Sequence, residues 1–135
     1  MRTEAIKQQI IENAEEIRRL RARIKETHSN RGKFFGATPL WEQASAEFQA
    51  RYDALAFPGG YETAPQRVVQ GDPEAVEAAV CFVEIRPYFV GSGYLFESLM
   101  RKLKRAPLSE EQSQRFAVVV QAYAEWRQKR REGKA

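Results

Sequence analysis

The sequence predicts an all-α chain, a single-domain antiparallel helical bundle or short helical array of five to six helices. Three observations predict it. Apolar residues recur at steps of three and four, and residues that start helices stand just ahead of those runs. Strand patterns are nearly absent: the β-branched runs Val118-Val119-Val120 and Cys81 to Ile85 both lie inside helical frames. A chain of 135 residues suits one core, which at this length buries roughly two-thirds of the surface its unfolded form exposes, so residues 1–135 are expected to form one domain.

The first element spans about residues 3–26. Ile6, Ile10, Ile17, Leu20 and Ile24 step by fours and threes, and Asn13 takes the remaining seam position. The same spacing fits a heptad template, in which a seam Asn sets register. Packing into the chain's own core is the favoured reading, and a homodimer through this helix is the alternative. The polar run His28-Ser29-Asn30-Arg31-Gly32 ends the helix in a loop, and Phe34-Phe35-Gly36 gives that loop an aromatic anchor.

Thr38 followed by Pro39 reads as an N-cap and first helical position, and Trp41, Ala44, Phe48, Tyr52 and Leu55 mark the next buried face. Phe57-Pro58-Gly59-Gly60 stops that helix. Pro65 opens a short helix through Val69, and Asp72-Pro73-Glu74 starts a fourth with Val76, Ala79, Val80 and Val83 facing inward. Pro87 ends it by pushing Arg86 out of the helical region. Tyr94, Leu95, Phe96, Leu99, Met100 and Leu103 form a fifth helix. Ser109-Glu110-Glu111-Gln112 is a capping box for the last, whose buried face is Phe116, Val119, Val120, Tyr123 and Trp126. A basic, fraying tail is expected from about 127 to 135.

The net charge of +4 is unevenly distributed. Residues 1–85 carry 11 basic and 13 acidic side chains, whereas residues 86–135 carry 11 basic and 5 acidic. The basic character therefore belongs to the C-terminal third, where Arg101, Lys102, Lys104, Arg105, Arg127, Lys129, Arg130 and Arg131 are the candidate contacts to nucleic acid or another anion. No helix-turn-helix, zinc-finger or RNA-recognition signature accompanies them, and a solvated surface is the plain alternative.

Catalytic and metal chemistry have little to stand on. One histidine and one cysteine, His28 and Cys81, make no zinc-ligand pattern, and the carboxylates are scattered over polar faces. Cys81 lies in an apolar stretch and reads as a structural thiol rather than a nucleophile. Gly91-Ser92-Gly93 opens a helix, and its amides with Ser92 and Arg86 form a candidate anion site, although the motif lacks the further residues of a phosphate loop. No catalytic residue, cofactor or metal ligand is assigned.

The aromatic residues outside the helix faces form the other candidate surface. Phe34, Phe35, Phe57, Tyr61, Tyr88, Phe89 and Tyr94 lie in or beside loops, where such residues serve either an interface or the ends of a bundle. No apolar run reaches the ~20 residues that span a bilayer. The start Met1-Arg2-Thr3-Glu4 has no signal-like apolar block, and a cytoplasmic protein without membrane contact is expected.

The segments Ala56-Phe57-Pro58-Gly59-Gly60, Gly71-Asp72-Pro73-Glu74-Ala75, Arg86-Pro87-Tyr88-Phe89-Val90-Gly91-Ser92-Gly93-Tyr94 and Lys104-Arg105-Ala106-Pro107-Leu108-Ser109 together resemble a family of small uncharacterised bacterial helical proteins. The resemblance covers residues ~50–125 and implies a bacterial origin but no activity. The functional expectation is a non-catalytic protein–protein interaction module, an adaptor, regulator or immunity-type binder with an unidentified protein partner. Nucleic-acid binding through the basic C-terminal third is the alternative.

Overall fold

The computed structural model describes residues 2–133, and these contain six α-helices and no strand. In chain order they are α1 (Arg2–Ser29), α2 (Ala37–Ala56), α3 (Ala64–Val69), α4 (Pro73–Ile85), α5 (Ser92–Leu103) and α6 (Glu110–Gly133). The segment expected to fray after Arg127 is helical through Gly133, and residues 134–135 of that expected tail lie outside the described residues.

The cause of the architecture is α4. Its residues Ala75, Val76, Ala78, Ala79, Val80, Cys81, Phe82 and Val83 are all buried, so it is apolar nearly all round and must be covered on every side. It is: α1, α3, α5 and α6 all touch it. Phe82 meets Phe57 and Phe89 at ring-centre distances of 6.0 and 6.3 Å, and burying each such ring is worth roughly 2–3 kcal/mol. Two start signals read from sequence are made in full. The Asp72 carboxylate accepts from the Glu74 N–H at 3.1 Å, and Ser109 and Gln112 exchange hydrogen bonds of 3.0 and 3.1 Å.

The N-cap expected at Thr38 falls elsewhere. α2 begins at Ala37 behind Gly36, whose φ of 87° is left-handed, because the turn from Phe34 closes earlier with a bond from the Ala37 N–H to the Phe34 carbonyl. Likewise α5 begins at Ser92, two residues before the expected Tyr94, behind the left-handed Gly91. A Cβ on Gly91 would lie 2.5 Å from the Tyr52 hydroxyl, which donates to the Val90 carbonyl at 2.7 Å. Tyr52 thus ties α2 to the α4–α5 turn, and glycine is required there.

Of the apolar seam of α1, Ile10, Ile17 and Leu20 are buried within the chain and Ile6 and Ile24 are half-buried. Ile10, Ala14 and Ile17 join the main core with α4, whereas Leu20, Ala37 and Ala44 are buried outside that core, in a separate layer between α1 and α2. Glu16 pairs with Arg51 at 2.7 Å and the ring of His28 meets that of Trp41 at 5.4 Å, which sets the two helices antiparallel. The far parts of α1 and α2 therefore form a two-helix arm that leaves the shared core.

Candidate functional site

The loop aromatics divide sharply. Phe57 and Phe89 are buried, because each follows a helix end and folds back onto Phe82, and Tyr61 is half-buried against Tyr52. These three plug the bundle. Phe35 is fully exposed and Phe34 is 54% exposed at the end of the arm, while Tyr88 and Tyr94 are 80% and 82% exposed. Leu40, on the first turn of α2, is exposed as well.

The loop containing Phe57 is fixed from below. Arg67 of α3 donates to the carbonyls of Pro58 and Gly60 at 3.1 Å each, and Asp53 accepts the Glu62 N–H at 2.8 Å. A Cβ on Gly60 would lie 2.7 Å from the Asp53 carboxylate, and its φ of 109° also suits glycine. Tyr88 is held by its backbone instead, its carbonyl accepting from Arg18 of α1 at 2.6 Å. Beside it Arg18, Arg21, Lys25, Tyr88 and Val90 line a hollow of about 370 Å³ at the base of the arm.

The Gly91-Ser92-Gly93 turn does not present its hydroxyl to a ligand. Ser92 is buried, and its oxygen accepts the Phe89 N–H at 3.1 Å within the turn. Arg86 turns elsewhere. Its backbone is left-handed at φ 51°, and its guanidinium lies 4.5 Å from the ring centres of both Phe96 and Trp126.

The basic residues fall into two sets. Arg101, Lys104 and Arg105 are exposed and Lys102 half-buried at the end of α5, where Lys104 shares a hollow with Ser113 and Phe116 near the start of α6. Arg127, Lys129, Arg130 and Arg131 are exposed at its other end. Roughly 20 Å of helix separates Ser113 from Arg127, so the two sets do not share one small patch.

One constellation escaped sequence reasoning. Arg115 of α6 donates to Glu77 at 2.9 Å and to Glu84 at 2.6 Å, Thr3 donates to Glu77 at 2.8 Å, and Lys7 lies 3.5 Å from Glu84. Burial acts to raise the Glu77 pKa, but the hydrogen bonds from Gln112, Thr3 and Arg115 outweigh it and lower it to about 2. Cys81 sits between these groups, 3.4 Å from Glu77 and 3.6 Å from the Arg115 guanidinium. Burial, reinforced by Glu77, pushes its thiol up to about 11, the opposite of what a nucleophilic cysteine needs. The cluster joins α1, α4 and α6 and is chemically a clamp.

Among the described residues no group of three or more His, Cys, Asp or Glu side chains gathers as for a metal ion, and no helix is long and apolar enough to cross a membrane. No family model, curated protein or solved structure matches this chain.

Proposed function

We propose that the protein is a non-catalytic interaction module that docks a partner protein through the α1–α2 arm. The observation that carries this is the exposure of Phe34 and Phe35 together at the end of a two-helix arm whose own packing, through Leu20, Ala37 and Ala44, lies outside the main core. Neighbouring exposed aromatics supply large contact area at small entropic cost and are the usual anchors of interfaces. Tyr88 and Val90, exposed at the base of the arm beside Arg18, Arg21 and Lys25, extend the same element with a polar rim.

Nucleic-acid binding is the second reading, favoured by the exposed Arg127, Lys129, Arg130 and Arg131 on α6. The two readings part on salt and on sequence position. Tagged protein is used to capture material from a bacterial lysate, with and without nuclease, at low and moderate salt. On the interaction reading a stoichiometric protein survives nuclease and salt, and is lost from Phe34→Ser/Phe35→Ser but retained by Arg127→Gln/Arg130→Gln/Arg131→Gln. Nucleic acid that leaves with salt, and is lost from the arginine variant alone, reverses the ranking.

A further inference from the structure

A groove along α6, lined from Arg115 to Arg131, lies apart from the arm. Two hollows of about 470 Å³ each adjoin there and share Arg86, Tyr123 and Trp126. The first is lined by Val83, Phe96, Val118, Val119 and Ala122, with Glu84 and Arg115 also on its wall. The second is lined by Arg127, Arg130, Arg131 and Glu97. Polarity thus changes from apolar to cationic along one continuous recess.

The charges in that recess do not cancel. Glu84 is engaged by Arg115 and Lys7, and Glu97, the one carboxylate lining the second hollow, accepts the Tyr123 hydroxyl. Against Glu97 stand Arg86, Arg127, Arg130 and Arg131, none of which pairs with a carboxylate among the described residues. Three of these guanidinium groups rest on ring faces: Arg86 on Phe96 and Trp126, Arg127 at 5.7 Å on Tyr123, and Arg130 at 5.3 Å on Trp126. Such contacts position the guanidinium plane while leaving N–H edges free for an oxyanion.

We infer that this groove binds a small amphiphilic anion, with an aliphatic or aromatic body in the apolar hollow and a phosphate or carboxylate head among Arg86, Arg127 and Arg130. Each hollow falls in the size range of small-molecule sites. Bases of single-stranded nucleic acid need open ring faces, and here arginines and the 5.7 Å stack of Tyr123 on Trp126 already cover them. Val83 and Phe96 are buried at the floor of the apolar hollow while Val118, Ala122 and Trp126 are exposed around it. That leaves room for one short chain beside a cationic end, which suits a free molecule better than a bilayer. The inference stands independently of the arm.

The test uses the full chain carrying Trp41→Phe, which leaves Trp126 as the sole tryptophan and reporter. Decyl phosphate, kept below its micellar concentration, is titrated against Trp126 emission beside decanol and inorganic phosphate. Expected is a saturable change with an affinity about tenfold or more above either control. Arg127→Gln/Arg130→Gln lowers that affinity by about tenfold, and so does Val118→Asp, at an exposed position where the core is untouched and circular dichroism should not change. Equal affinity for decanol and decyl phosphate, or indifference to both variants, overturns the inference. So does binding confined to phosphatidylcholine vesicles containing phosphatidic acid, which would put the apolar body in a membrane.

Discussion

The Arg115 guanidinium reaches the Glu77 carboxylate across 2.9 Å and fastens α6 to the central helix α4. Both side chains are more than four-fifths buried, and Glu84 closes the other side of the same guanidinium. Removing a buried partner leaves charge without compensation, which costs more than the intact pair contributes. Arg115→Met is therefore expected to lower stability by roughly 3 kcal/mol, with Glu77→Gln in the same chain recovering part of the loss. Urea unfolding of the two variants measures both, and full additivity would contradict the clamp.

The same pair sets an acid dependence. The Glu77 pKa is about 2 in the folded chain, against an ordinary 4.5, so its contribution is complete above about 4.5 and is lost as pH falls toward 2. Arg115 stays charged throughout. Stability should fall by on the order of 2 kcal/mol from this group alone across that window, and Glu77→Gln should flatten the profile. Urea midpoints between neutral and acidic pH are the readout.

Cys81 should be inert in the folded protein. Its thiol is buried and raised to about 11, so little thiolate exists near neutrality. Alkylation by iodoacetamide at neutral pH should be about a hundredfold slower than for a free cysteine, and should accelerate in Arg115→Met, where the α4–α6 contact is weakened. Fast labelling of the native chain would contradict the burial.

What could be read in the sequence was local. The Asp72 cap and the Ser109 and Gln112 capping box are chemistry within three residues, and both are made as the spacing implies. The Arg115 clamp was hidden because its partners stand 31 and 38 residues away and resemble solvated charge. A signal did exist. α4 is apolar nearly all round, so Glu77 and Glu84 on it were bound to meet neighbouring helices and need a cation. The aromatics show the same limit: Phe57 and Phe35 both stand within two residues of a glycine at a helix-flanking loop, yet one is buried and the other exposed. Only the return of Phe57 over Phe82, which depends on Asp53 and Arg67 closing the loop, separates them.

Gly91 offers a stringent check on the α4–α5 turn. Gly91→Ala must place a methyl 2.5 Å from the Tyr52 hydroxyl at a φ of 85°, so a loss of roughly 2 kcal/mol is expected. In a Tyr52→Phe background the clash shrinks and the additional loss should fall to about 1 kcal/mol, the left-handed backbone term alone. Thermal unfolding of the four chains completes the cycle.

The two phenylalanines at the end of the arm should be dispensable for folding. Phe34 and Phe35 contribute nothing to the main core, so Phe34→Ser/Phe35→Ser should change stability by less than about 0.5 kcal/mol. On the proposed reading, a partner docks on this arm. The most direct test is a photo-crosslinking amino acid placed in turn at positions 35, 88 and 114, the last an exposed site on α6, followed by irradiation in living cells. Expected are one discrete adduct from position 35, a fainter one of the same partner from position 88, and none from position 114. Equal adducts from all three positions, or an adduct from 114 alone, would contradict that reading.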